Sequence, residues 1–283
     1  MNSIIDTYTL SNGHTIPVLG YGTWQVTDPS EAVDGVIAAV KAGYRHIDTA
    51  QMYGNEEYVG EGIKKCGMPR EELFVTSKLN NTNHGYKAAR RTIEESLDKL
   101  DLDYLDLFLI HWPVVKDNGG DWKQDNIDTW RALEELYDEG KLKAIGLSNF
   151  AVPHINNIFE NCRIKPMVNQ IRLHPGVLQE DTVELSRKHN MIIEAWSPLS
   201  PMKYMQEDET VREMCEKHGK SIAQVLLKWS LQHGFVTLTK SVHEKRIINN
   251  ADIFDFELTP EDMNYLDSLK FEELSKPEDF QER

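Results

Sequence analysis

The sequence predicts an α/β fold, a (β/α)8 TIM barrel preceded by an N-terminal β-hairpin. Three observations carry that expectation. Eight short apolar runs recur along the 283 residues, segments of helical periodicity separate them, and polar functional groups close run after run. Parallel strands covered by helices on their faces read as continuous apolar runs, and eight is the number that closes a barrel of about 250 residues. An open doubly wound sheet is the alternative. It usually carries a G-x-G-x-x-G turn after its first strand, of which Gly20-Tyr21-Gly22 supplies the first half.

At the N-terminus, Thr7–Leu10 and His14–Pro17 flank Ser11-Asn12-Gly13, and Asn-Gly between strand-like pieces marks a hairpin. The eight runs follow at Val18–Thr23, Arg45–Asp48, Leu73–Ser77, Tyr104–Ile110, Ala144–Leu147, Met167–Gln170, Met191–Ala195 and Phe235–Thr239. After the first run, Ala32, Val33, Val36, Ile37 and Val40 share one helical stripe. Asp28 opens that helix as N-cap ahead of Pro29, and Gly43 closes it. Tyr86, Ala89, Ile93, Leu97 and Leu100 form the next stripe. Trp130, Leu133, Leu136 and Tyr137 form a third, stopped at Gly140. Ile222, Val225, Leu226 and Trp229 face one way in a later helix, another starts near His243, and Thr259-Pro260 caps a last one holding Met263, Leu266 and Leu269. No linker, low-complexity tract or repeat beyond the βα unit interrupts the series, so a single domain over residues 1–283 is expected.

A formal net charge of −15 argues against nucleic acid or an anionic membrane as partner, since both need a positive footprint. One local basic pocket remains compatible with it. Cys66, Cys162 and Cys215 are odd in number and lack CxxC spacing, which reads as three reduced thiols. The first residues show no basic region followed by an apolar one, and no stretch approaches the ~18 apolar residues of a membrane span. A cytoplasmic location follows as the expectation, in which the Asn80-Asn-Thr sequon has no use.

On a barrel, the C-terminal strand ends converge on one face. Read in order they offer Trp24, Asp48, Lys78, His111, Ser148 with Asn149, Gln170, Trp196, and Lys240 with Ser241; Tyr53 follows Asp48 closely. No HExxH or Cys–His spacing points to a metal, and there is no GxSxG elbow. A charge at a buried strand end is costly unless it works with others. A phenol of pKa about 10 is a reluctant acid at neutral pH. The Lys78 ammonium beside Tyr53 would lower that value, Asp48 would hold the lysine charged, and a neutral His111 would hydrogen-bond a substrate oxygen. Such a group protonates a carbonyl oxygen. The carbonyl carbon then needs a hydride, which no side chain delivers, so a nicotinamide cofactor is implied.

Gly43-Tyr-Arg-His-Ile-Asp-Thr-Ala50, Tyr53-Gly54-Asn55-Glu56 and Val59-Gly60 resemble the aldo-keto reductase family. So do Thr76-Ser-Lys78-Leu, His111-Trp-Pro113, Ile145-Gly-Leu-Ser-Asn-Phe150, Asn169-Gln170, Trp196-Ser-Pro-Leu199, and Lys240-Ser-Val with Arg246 and Asn250. The matches run in order from Gly20 to Asn250. They are closest in pattern to the branch of prokaryotic 2,5-diketo-gluconate reductases and protozoal prostaglandin F synthases.

The resemblance implies Tyr53 as acid, Asp48 and Lys78 as its tuning pair, and His111 as the residue that orients the carbonyl. It implies that Ser148, Asn149 and Gln170 hold a nicotinamide carboxamide, that Trp196 stacks on the ring, and that Ser197 and Leu199 line the pyrophosphate path. Lys240, Ser241 and Arg246 would surround a 2′-phosphate, which makes the cofactor NADPH (NADP+); Thr23, Val242 and Asn250 complete the cofactor contacts. Lys240, Lys245 and Arg246 are also a rare basic group in an acidic chain. Trp24 and Trp112, with His111, would wall the substrate pocket, and Trp122 in the polar loop Lys116–Asn126 is a further candidate.

The few residues after Leu269 imply a short C-terminal lid and an open pocket. Four positions depart from the family pattern: Trp196 for Tyr, Thr239 for Pro, Asn249 for an acidic residue and Arg172 for Glu. The expected function is a monomeric, cytoplasmic, NADPH-dependent reductase of small-molecule carbonyls such as aldehydes, ketones, α-dicarbonyls or diketo-sugars. A redox-sensing regulatory subunit, like the potassium-channel β-subunits of the superfamily, is the alternative. A lyase or hydrolase using Lys240 and Arg246 for a substrate phosphate would leave Tyr53 and Lys78 without a purpose.

Overall fold

Local sequence signals set the first elements of the computed structural model, which describes residues 1–114 and 121–274. Strands β1 (Thr7–Thr9) and β2 (Thr15–Pro17) pair antiparallel, Thr7 opposite Pro17. The turn between them uses Gly13 at φ 90°, where a side chain would be strained. After β3 (Leu19–Gly22), the Asp28 carboxylate accepts from the Ser30 and Glu31 amides and opens α1 (Pro29–Lys41), whose Ala32, Val33, Val36 and Val40 are buried.

The chain continues through β4 (His46–Asp48), α2 (Glu56–Lys65), β5 (Phe74–Leu79), α3 (Tyr86–Leu100) and β6 (Leu107–Ile110). Then come α4 (Trp122–Asp138), β7 (Ile145–Ser148), α5 (Val152–Asn161), β8 (Val168–Arg172), α6 (Glu180–Lys188) and β9 (Ile192–Trp196). The last part holds α7 (Met202–Met205), α8 (Glu209–His218), α9 (Ile222–Gln232), β10 (Val236–Thr239), α10 (Glu244–Ala251) and α11 (Pro260–Ser268).

Strands β3 to β10 are all parallel and close into a barrel, β10 pairing with both β9 and β3. The closed barrel decides against the open doubly wound sheet. All eight expected runs contain a strand. The fourth begins late, at Leu107, because Leu105 makes only an isolated bridge to Leu142 and Arg70 grips the Tyr104 carbonyl and the Asp106 carboxylate. Helix α4 starts two turns before the expected stripe, capped by Asp121.

Helix α2 carries little apolar periodicity because glycines occupy its buried face. A Cβ on Gly60 would stand 2.4 Å from the Leu100 carbonyl oxygen, and one on Gly62 would stand 2.8 Å from the Val36 side chain. Close approach of α1, α2 and α3 replaces side-chain burial there. The expected short lid after Leu269 and the loop Lys116–Asn126 lie partly outside the described residues. No helix among the described residues is long and apolar enough to cross a membrane.

Candidate active site

Strand register brings the polar residues to one level. Gly22 pairs with Asp48, Asp48 with Thr76, and Ser148 with Gln170. Lys78, fully buried on β5, donates to Asp48 Oδ1 at 2.6 Å, to the Thr49 carbonyl at 2.9 Å and to the Tyr53 hydroxyl at 3.4 Å. Tyr53 reaches the lysine because the single turn Gln51–Tyr53 is anchored twice. The Gln51 amide donates to the Thr92 carbonyl and Ser96 hydroxyl of α3, while its carbonyl accepts from the Asn80 amide beyond β5. Buried Asn55 then ties this turn to the previous loop. It accepts from the Thr49 hydroxyl and donates to the Thr23 and Val26 carbonyls. That bracing holds the Trp24 ring 4.9 Å from the Tyr53 ring.

The electrostatics differ in one respect from the sequence expectation. Burial pushes the Tyr53 phenol above its ordinary value, and the Lys78 ammonium opposes this only in part. The phenol therefore keeps its proton across the neutral range instead of being drawn down toward it. Burial pulls Lys78 down, but Asp48, Tyr53 and the Asp48 hydrogen bond together outweigh it, so the ammonium stays charged. Burial, with Lys78 nearby, holds His111 well below the usual imidazole range. The neutral His111 ring meets Tyr53 edge-on, 5.8 Å between centroids.

A cavity of about 460 Å³ opens above these groups. Asp48, Tyr53, His111 and Ser148, Asn149 and Gln170 line its floor, Trp24, Trp112 and Trp196 its apolar walls, and Ser197, Leu199 and Lys240 one end. Trp24 is 46% exposed and forms the rim. Sequence reading missed Gln25, Met52, Asn81, Pro198, Ser200 and Leu238, which also line it. Backbone strain is one signal that marks such positions. Gln25, Asn149 and Ser197 all stand at positive φ (61°, 61° and 52°), a conformation that persists only where the surroundings enforce it.

Five of the residues expected to bind cofactor do not line this cavity: Thr23, Ser241, Val242, Arg246 and Asn250. The Thr23 hydroxyl is turned to the Asp48 carbonyl. Asn250 donates to the Thr239 hydroxyl at 2.7 Å, and the Ser241 hydroxyl accepts from the His243 amide, so both brace the segment that leads into α10. Val242 is half-buried, and Arg246 is exposed on the first turn of α10. Lys240, Lys245 and Arg246 have no ion-pair partner among the described residues. Trp122, the further candidate, packs edge-on against His154, away from the cavity.

Three of the departures acquire a physical account. Trp196 donates its indole N–H to Asn149 Oδ1 at 2.9 Å, a bond a phenol ring in that orientation would lack. The Arg172 guanidinium lies 5.8 Å over the same indole, a cation–π contact. Thr239 supplies the hydroxyl that receives Asn250. Nothing in the structure explains Asn249.

Beneath the floor lies a second polar layer that the apolar-run reading concealed. Glu194 of β9, His46 of β4 and Thr76 of β5 all face the barrel interior, fully buried. His46 Nε2 is 2.9 Å from the Thr76 hydroxyl and 3.7 Å from Glu194 Oε1. Burial, then the Asp48 charge, pushes the Glu194 carboxyl up to about 8, and burial with Lys78 takes His46 down to about 3. Both are neutral at pH 7.

This donor set fits a nicotinamide dinucleotide. Gln170 Oε1 accepts no hydrogen bond among the described residues, Trp196 offers a ring face, and unpaired Lys240 lies at the far end of the same cavity. Residues 18–270 match the model of the aldo/keto reductase family. The chain is 49% identical to glyoxal reductase of Bacillus subtilis over 275 residues, 97% of this chain and 96% of the relative. It is 44% identical to 9,11-endoperoxide prostaglandin H2 reductase of Trypanosoma cruzi, covering 95% and 93% of the two chains. A crystal structure of a Bombyx mori aldo-keto reductase in complex with NADP superposes with a TM-score of 0.86 at 34% identity, over 94% of this chain and 92% of that one.

Proposed function

The chain belongs to the aldo/keto reductase family, and from that premise we propose that it reduces aldehydes and ketones to alcohols with NADPH, Tyr53 being the general acid. The observation that carries the assignment of roles is the buried Lys78 ammonium bridging Asp48 and the Tyr53 hydroxyl at the cavity floor. Bound NADPH supplies the hydride for the carbonyl carbon. Tyr53 holds the proton for the carbonyl oxygen, and as that proton leaves, Lys78 stabilises the phenolate left behind. Neutral His111 orients the carbonyl. Gln170, Ser148 and Asn149 would hold the carboxamide, Trp196 would offer its face to the ring, Ser197 and Leu199 would line the pyrophosphate path, and Lys240 and Arg246 would meet the 2′-phosphate. Thr23, Ser241 and Asn250 would act on the cofactor through the backbone they brace, and Val242 would act as part of the same segment.

The aromatic rim of Trp24 and Trp112 and the polar Gln25 and Asn81 suit small carbonyls with a second oxygen, such as α-dicarbonyls and diketo-sugars. The glyoxal reductase likeness supports the same class. An NADPH-oxidation panel of methylglyoxal, aromatic aldehydes, diketones and aldoses tests this; turnover of α-dicarbonyls is expected, and no NADPH consumption with any compound would sink it. We further infer a cytoplasmic monomer working as one catalytic unit over residues 1–283, without nucleic-acid or membrane partners. The net charge of −15 supports the last point. Gel filtration tests the monomer, and a tetramer would favour the regulatory alternative.

A further inference from the structure

We propose that Glu194 is a positioning residue that fixes the Gln170 amide from below, so that its carbonyl faces the cavity as an acceptor for the carboxamide amino group of the cofactor. The inference rests on reading the cavity as a nicotinamide site and adds a residue that does not touch the cofactor.

The parallel ladder sets Gln170 directly beside Glu194 on neighbouring strands. Gln170 Nε2 donates to Glu194 Oε2 at 2.9 Å and to Asp48 Oδ2 at 3.0 Å. A primary amide nitrogen has two hydrogens, so both are spent beneath the floor and only Oε1 is left for a ligand. Asp48 alone would not secure this. One hydrogen bond leaves the amide able to turn about its last torsion, which is soft and roughly two-fold; a second from a different strand fixes its plane.

The setting gives Glu194 no other evident employment. It is fully buried, and Gln170 is its one hydrogen-bond partner among the described residues. The nearby ammonium, Lys78, is paired with Asp48, and the His46 ring stays 3.7 Å from Oε1, which has no hydrogen-bond partner. A buried carboxyl with a single hydrogen-bond partner is costly, and an apolar residue of similar size would pack there at less cost.

The test uses Glu194→Leu, which removes the acceptor, and Glu194→Gln, which retains a neutral one. Dissociation constants are measured by tryptophan quenching for NADPH and for 2′-phospho-ADP-ribose, which lacks the nicotinamide. The Leu variant is expected to bind NADPH at least about tenfold more weakly and 2′-phospho-ADP-ribose unchanged, with Gln within about twofold of wild type for both. Equal weakening of both ligands by Leu, or none of either, overturns the inference while leaving the functional reading intact. A wild-type protein that does not bind NADPH overturns that reading and this inference with it. A measurement free of any folding defect uses wild type with the 3-acetylpyridine analogue of NADPH, whose methyl group cannot donate. At least about tenfold weaker binding than NADPH is expected, and equal affinity overturns the acceptor role of Gln170.

Discussion

Lys78 and Asp48 meet at 2.6 Å in the sealed floor of the cavity, both side chains almost wholly removed from water. Two such charges cost several kcal/mol each to bury, and their attraction offsets this only with good geometry and further hydrogen bonds. Here the ammonium finds the Thr49 carbonyl as well, and its remaining direction is toward the Tyr53 hydroxyl. The Lys78 ammonium is therefore a positive charge held in place by Asp48 and aimed at a phenol that burial keeps protonated. It is arranged to matter when the proton leaves.

Replacing Tyr53 by Phe removes that proton and little else, since the ring retains its contacts with Trp24 and His111. Carbonyl reduction should fall by roughly 10²–10⁴, with the NADPH dissociation constant unchanged. A Phe variant that keeps most of its kcat on an aldehyde would remove Tyr53 from the acid role.

Lys78→Met should act on rate and stability together. Burial would then raise the Tyr53 phenol unopposed, so the alkaline limb of the pH–rate profile should move to higher pH in any residual activity. Asp48 would be left buried beside no cation, at a cost of about 3–5 kcal/mol in urea denaturation. Adding Asp48→Asn should recover part of that loss. An unmoved pH profile in an active Met variant would argue that the ammonium takes no part in the proton transfer.

Much of this site was legible in the sequence because strand ends punctuate apolar runs, and Asp48, Lys78, His111, Ser148 and Gln170 stand at those ends. Two kinds of residue escaped. Gln25, Asn81 and Ser200 sit in loops whose aim depends on the backbone, as the positive φ of Gln25 illustrates. Glu194 stands alone as a polar residue in its apolar run and His46 lies beside Arg45, and the inward period of two becomes a layer only when the barrel closes and brings β4 beside β3 and β9 beside β10. Helix α2 was hidden for another reason: Gly60 and Gly62 take the positions where apolar side chains would signal a buried face. The direction of the Tyr53 shift also needed the fold, since charge partners can be guessed from sequence but the depth of burial cannot.

Glu194 also makes stability depend on pH above neutrality. Its folded value of about 8 exceeds the unfolded carboxylate value, so the folded chain binds the extra proton between about 4.5 and 8, and stability is lost as pH rises through that window. His46 acts oppositely, but only between about 3 and its unfolded value of 6.5, where stability grows with pH. Above about pH 6.5 the carboxyl acts without that opposition, with a slope of at most about 1.4 kcal/mol per pH unit. The melting temperature should therefore fall from pH 6.5 to 8, and Glu194→Gln should flatten that slope. Equal slopes in both proteins would show that Glu194 does not carry the proton.

Cofactor choice should depend on Arg246. NADPH carries a 2′-phosphate that NADH lacks, and a charge-assisted hydrogen bond to it is worth roughly 1.5–3 kcal/mol. Lys240 lies on the cavity wall, whereas Arg246 is exposed at the start of α10, with no carboxylate partner among the described residues to hold it elsewhere. Other cations of this acidic chain are held by carboxylates, as Lys220 is by Asp252 and Asp255 and Lys228 by Glu257. A guanidinium and an ammonium six residues apart, neither with an ion-pair partner among the described residues, suit a dianion. Arg246→Ala should weaken NADPH binding at least about tenfold, or about 1.4 kcal/mol, and leave NADH binding nearly unchanged. Tryptophan quenching with both cofactors measures it, and the loss should shrink as salt is raised, because an exposed ion pair is screened. Equal losses for the two cofactors would assign Arg246 to support of α10 and move the source of NADP preference to Lys240, whose Lys240→Ala variant would then have to show the discrimination that Arg246 did not.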